Sequence, residues 1–296
     1  MNKIETVTRE LLERELNSRR FLAGLEKVIE LAEFPRHIIN GTRLEISFDV
    51  DKQLFGEGLN YSPEIVIGNE RSVSMDIGEK FAEELYRKHT GKDPGKKEND
   101  DDFANFCSRN KLFTQDYPYG ENLFDFDYSN PHYTLFNLHT HPLGGPYVSP
   151  GDGKYMTFLR NQTREHGLFV RPVMMVVGCT KYDSRHGTYP ILFFQEKNNT
   201  PLDEQEVEEA VRYARRYAGK NERCYDHGKR EIGREELARL LMRCLGKGLT
   251  DVKEREYRPL YNCGLAYFTP GAEKLDFDFD LNDFAYSIEA GGKDED

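Results

Sequence analysis

The run Tyr133-Thr134-Leu135-Phe136-Asn137-Leu138-His139-Thr140-His141-Pro142, followed across a short loop by Ser149-Pro150-Gly151-Asp152, decides how this chain is read. Its first part is apolar enough for a strand. Side chains of a strand alternate between faces, so His139 and His141 point the same way and can share one metal ion. Asp152 lies eleven positions beyond His141 and offers a carboxylate from the far side of a Gly/Pro loop. Two neutral nitrogens and one carboxylate oxygen, with a fourth position open, are the donor set of a catalytic zinc. A serine followed by proline, with an acid at the third helical position, is also ordinary helix-start chemistry. A helix is therefore expected from Ser149 to about residue 165.

Outward from this run, apolar residues at intervals of three and four predict one helix over 3–33, stopped by Pro35. That helix either docks on its own domain or pairs two copies into a homodimer; its register is not strictly heptad, which favours docking. Residues 43–50 alternate, with Leu44, Ile46, Phe48 and Val50 on one face and Glu45, Ser47 and Asp49 on the other. A second strand is predicted over 63–68, continuing through 72–75, then a helix over 77–89. The stretch 91–128 begins with Lys, Glu, Asp, Asn and Gly and becomes aromatic and turn-rich. It reads as an insertion, expected to be a mobile surface loop.

Past the histidine strand, strands are predicted over 170–179, 187–195 and 260–268. Helices are predicted from Asp203, with Glu206 at the capping-box position, and over 234–245, stopped by Gly246. Three parts result: a core over 1–200, an extension over 201–274, and an acidic, aromatic tail over 275–296. The tail is expected to be mobile; folding back over the site is the alternative.

The chain has 296 residues and a net charge of -11, which argues against nucleic acid as a partner, since phosphate contact needs concentrated Lys and Arg. No apolar run approaches the ~20 residues of a membrane span, and the first residues lack the apolar segment of a signal peptide. Five dispersed cysteines without a Cys-x-x-Cys fit free thiols in a reducing compartment. A cytoplasmic protein without a membrane partner is expected.

His-x-His-Pro, seven residues from Pro142 to Val148, then Ser149-x-x-Asp152, resembles the JAMM/MPN+ zinc metalloprotease family, whose signature is His-x-His-x(7)-Ser-x-x-Asp with a glutamate upstream. Close resemblance covers roughly residues 133–165; the expected element order over about 3–195 is compatible with it. The resemblance implies an α/β fold, a mixed β-sheet flanked by helices in a cytidine-deaminase-like core. It also implies a zinc-dependent isopeptidase or peptidase acting on a protein substrate, after the C-terminal tail of ubiquitin or a ubiquitin-like protein. His139, His141 and Asp152 would hold Zn2+, which lowers the pKa of water from ~15.7 towards ~7. Ser149 would help hold the developing oxyanion.

The family's glutamate moves the proton from water to the leaving amine. Glu45, opposite the apolar face of its strand, is the first choice for that base, although the glycine that usually follows in the family is missing. Glu57, Glu64 and Glu70 are rivals. Histidines 37, 89, 132, 166, 186 and 227 have no ligand-like spacing. Two other readings stand beside this one. A non-catalytic binding or scaffold module of the same fold would lack stoichiometric zinc. Another single-zinc hydrolase is disfavoured by the absence of the Cys-x-x-Cys that zinc deaminases use.

Overall fold

The computed structural model describes residues 2–54, 59–62, 64–70, 72–119, 131–141, 150–164, 167–178, 187–196 and 261–290. In chain order these form β1 (Asn2–Val7), α1 (Arg9–Leu16), α2 (Arg19–Glu33), β2 (Ile46–Gln53), β3 (Leu59–Tyr61), β4 (Glu64–Ile67) and α3 (Met75–Thr90). There follow α4 (Asp100–Asn110), β5 (Phe113–Asp116), β6 (His132–Thr140), α5 (Pro150–Arg164), β7 (Leu168–Phe169) and β8 (Val173–Val177). The chain closes with β9 (Tyr189–Glu196), β10 (Tyr261–Phe268), β11 (Asp276–Phe277) and β12 (Tyr286–Ala290).

The protein is mixed α/β. A nine-stranded sheet runs β11-β10-β9-β8-β6-β2-β4-β5, with β3 also on β2, and a smaller sheet runs β1-β12-β7. β6, the histidine strand, is where strand direction changes: it pairs antiparallel with β2 and parallel with β8. α5 lies in the crossover from β6 to β8, so the carboxyl end of β6 and the amino end of α5 meet there. In α/β sheets the crevice outside a strand's carboxyl end, beside the helix that follows it, is a common place for ligands to bind. β8 and β9 are buried at every position, which explains their unbroken apolar sequences.

The alternation in β2 is a division between two environments. Ile46, Phe48 and Val50 are fully buried on the face covered by α2. There Phe21 stacks edge-on against Phe48 and Phe136, each with ring centres 5.9 Å apart. The polar face of the same strands carries the candidate site.

Several local expectations are corrected. The predicted helix over 3–33 is a strand and two helices. Thr8 caps α1 by accepting from the Leu11 amide, and Ser18 caps α2 by accepting from the Phe21 amide. β1, ahead of them, pairs with β12. The extension of the second strand through 72–75 is also wrong, because Ser74 caps α3 and Met75 is its first residue.

The described part of 91–128 is not a loose loop. α4 lays Phe103 and Phe106 edge-on against Tyr86 of α3. β5 pairs antiparallel with β4, and buried Tyr117 packs against Phe48 and donates to the Arg20 carbonyl at 2.8 Å. The tail is likewise folded up to Ala290, with Leu275, Leu281, Phe284, Tyr286 and Ile288 buried. The helices predicted over 203–217 and 234–245 lie outside the described residues. Among the described residues, no helix is long and apolar enough to cross a membrane.

Phe279 shows how the tail is held. Its ring lies 5.3 Å from that of Phe193 on β9 and 5.0 Å from that of Phe284. It covers Gly264 of β10, where an added Cβ would overlap the ring itself. Gly264→Ala should therefore lower stability by about 1–3 kcal/mol, as overpacked cores do. An earlier urea midpoint is the expected reading. An unchanged midpoint would mean that the tail does not hold Phe279 on this strand.

Candidate metal centre

At the carboxyl end of β6, His139 and His141 are 4% and 7% exposed, and Asp152 in the first turn of α5 is 9% exposed. The Nε2 atoms of the two histidines are 3.2 Å apart. His139 Nε2 lies 3.1 Å from Asp152 Oδ1, and His141 Nε2 lies 3.3 Å from Asp152 Oδ2. Donors ~2.0–2.1 Å from a tetrahedral ion are about 3.3–3.4 Å from one another. The two imidazole nitrogens are at nearly that spacing, each has one oxygen of the Asp152 carboxylate within 3.3 Å, and the group could hold a metal ion. Two imidazoles and a carboxylate are a donor set that several divalent transition metals accept.

Three buried polar side chains in one place need a reason, because burying polar groups is costly unless they are compensated. Burial alone would raise the carboxyl of Asp152. His141 and His139 overcome it by charge and by hydrogen bonding, and hold Asp152 well below the usual carboxylate range. The carboxylate therefore stays ionised and available as a donor.

Glu45 is brought to this cluster by the ladder between β2 and β6. Ser47 pairs with His139, so two residues earlier the same face of the chain comes opposite His141. The backbone here is pinned on both sides. The Ile46 amide donates to Thr140 Oγ1 at 3.1 Å, the Glu45 amide donates to the Asn69 carbonyl at 2.8 Å, and the Gly68 amide donates to the Glu45 carbonyl at 2.9 Å. Burial raises the Glu45 carboxyl above its ordinary value. His141 and His139 oppose that shift, and Asp152 adds to it. Glu45 thus sits in the electrostatic field of all three donors.

Further polar residues line the same face. Asn137, directly opposite Asp49 in the ladder, donates from Nδ2 to Asp49 Oδ1 at 2.6 Å, and its Oδ1 lies 3.2 Å from His139 Nδ1. Burial pushes the Asp49 carboxyl up to about 6, with the Asn137 hydrogen bond working against that shift. Thr134 donates to Asp51 at 2.9 Å. Tyr155 of α5 has its hydroxyl pushed up by burial and by the charges of Asp49 and Asp51. Two turns beyond Asp152, Arg160 ties α5 to β9 through a buried 2.6 Å ion pair with Glu196. That anchor fixes the helix carrying the third donor.

Of the residues singled out in the sequence, His139, His141, Asp152 and Glu45 are brought together. Glu64 lies on β4, paired with Asp116, with β2 between it and the histidine strand. Ser149 and Glu57 lie outside the described residues. Sequence reasoning missed Asn137 and Asp49. Both were visible as polar positions in phase with His139 and Glu45. No protein-family model and no curated protein sequence matches the chain.

Proposed function

We propose that the chain is a zinc-dependent peptidase or isopeptidase. It hydrolyses an amide bond of a protein substrate, after the extended C-terminal tail of ubiquitin or a ubiquitin-like protein. The observation that carries this reading is Glu45, a half-buried carboxylate in the field of a His-His-Asp cluster in which the two imidazole Nε2 atoms are 3.2 Å apart and each lies within 3.3 Å of an Asp152 oxygen. The His-x-His-x(7)-Ser-x-x-Asp spacing supports it, and so does the resemblance to the JAMM/MPN+ metalloproteases, with the cytidine-deaminase-like core that this implies.

A zinc ion held by His139, His141 and Asp152 would polarise a carbonyl and make water acidic enough to attack at neutral pH. The chain's own groups do the rest. Glu45 takes the proton from the attacking water and returns it to the leaving nitrogen, which needs a carboxyl that can both lose and regain a proton. Its burial-raised carboxyl suits that exchange. By the same resemblance, Ser149 would donate a hydrogen bond to the oxygen that gains charge.

The test is metal analysis of the purified protein together with cleavage of fusions in which a ubiquitin-like domain precedes a reporter. One zinc per chain and chelator-sensitive cleavage at the junction are expected. A zinc-loaded protein that cuts none of these amides, or a protein that takes up no zinc, would overturn the reading.

A further inference from the structure

We propose that Asp49 and Asn137 form a positioning pair that fixes which nitrogen of His139 faces the metal. The inference rests on the reading of His139 as a metal ligand, and it concerns two residues outside the His-His-Asp group.

A carboxylate accepts hydrogen bonds and donates none, so at 2.6 Å from Asp49 Oδ1 the Asn137 amide must present its NH2 group. The other end of that amide is then necessarily its oxygen, which faces His139 Nδ1 at 3.2 Å. An amide oxygen only accepts, so Nδ1 must carry the proton. A neutral imidazole protonated on Nδ1 has its lone pair on Nε2, and Nε2 is the atom that meets His141 at 3.2 Å and Asp152 at 3.1 Å. One carboxylate therefore sets the orientation of an asparagine, and the asparagine sets the tautomer of a ligand.

The arrangement is built into the sheet. Asp49 and Asn137 are directly opposite in the β2–β6 ladder, and Ser47 and His139 are the next pair on the same face. The neighbouring carboxylate, Asp51, is turned to Thr134 Oγ1 at 2.9 Å. Metal-binding histidines generally give their second nitrogen to such a partner, and removing it costs about 10–100-fold in metal affinity.

The test is zinc affinity, measured by competition with a chromophoric chelator. Asn137→Leu keeps the size and removes the acceptor; it should bind zinc about 10–100-fold more weakly than the wild type. Asp49→Asn should lose part of that, because two amides can now flip and present NH2 to His139. The exchange Asp49→Asn with Asn137→Asp should recover most of the affinity, since the new carboxylate accepts from His139 Nδ1 and from the new amide. A merely structural role would not predict that rescue. Nitrogen-15 spectra of the zinc-loaded wild type add a reading that needs no variant. The His139 proton should sit on Nδ1 and exchange slowly with solvent.

Wild-type affinity in Asn137→Leu, an exchange variant no better than Asn137→Leu, or zinc on Nδ1 would each overturn the proposal. None of these measurements involves cleavage. The peptidase reading can therefore fail in its own assay while the positioning pair stands, and the pair can fail while the peptidase stands.

Discussion

Glu45→Gln is expected to keep one zinc per chain and to lose about 10²–10⁴-fold in kcat, the usual worth of a positioned general base. The substitution is close to isosteric, so the backbone bonds from Glu45 to Asn69 and Gly68 survive it. It also removes a charge whose burial is unfavourable, since burial is the largest cause of the raised Glu45 carboxyl. The variant should therefore be at least as stable as the wild type in the metal-free state. The amide has no way to take a proton from water, and that loss falls on the chemical step. The measurement is kcat and KM on a cleavable fusion, with metal content determined on the same preparation. Retained zinc with lost turnover is the expected pair of results. Full turnover would remove Glu45 from the mechanism and return the assignment to its rivals. Glu64 is poorly placed for it, because β4 is separated from β6 by β2.

Glu45 also shows how much of the site was legible in the sequence. Alternation over 43–50 divides that segment correctly into two faces, but alternation does not say what each face meets. Glu45, Ser47 and Asp49 have the composition of a solvent face. In the structure they lie on the face that carries the His-His-Asp group, because β6 lies beside β2 with His139 opposite Ser47. Strand pairing is a non-local fact, and a single strand's pattern carries no trace of its neighbour. The histidine strand and α5 were legible because all three donors fall within fourteen residues, from His139 to Asp152. Asn137 was harder to see: an asparagine is weak evidence until a carboxylate is known to lie across from it.

The fold errors have a similar cause. Periodicity over 3–33 joined two helices, although Thr8 and Ser18 were both suitable caps. Propensity also concealed β1, whose partner β12 is nearly three hundred residues away in sequence. The acidic composition of 275–290 pointed to a mobile tail. Its aromatic residues decided otherwise, since Phe277, Phe279 and Phe284 all find Phe193. Aromatic burial outweighs the solvation of the acids between them, which stay at the surface.

Asp152→Asn is expected to weaken zinc binding by more than the ~10–100-fold that outer partners of a ligand are worth, because it replaces a charged donor in direct contact. The shape of the site is kept, so the loss is electrostatic. Its dependence on pH follows from the metal-free state. Asp152 is held well below the usual carboxylate range, with the charges of His141 and His139 overcoming its burial. Such a depressed carboxyl stabilises the fold above its unfolded value, and that stability is lost progressively as the pH falls from there through the folded value. The attraction operates when the imidazoles carry protons, and those protons must leave before a metal arrives. Wild-type affinity should therefore fall as the pH is lowered, with protons released on zinc binding. The asparagine variant lacks the carboxylate that pairs with the protonated imidazoles. Its weaker affinity should decline less steeply, so the gap between the two proteins narrows as the pH falls. Calorimetry in buffers of different ionisation enthalpy counts the released protons directly. Equal affinities near pH 8 would remove Asp152 from the metal's coordination.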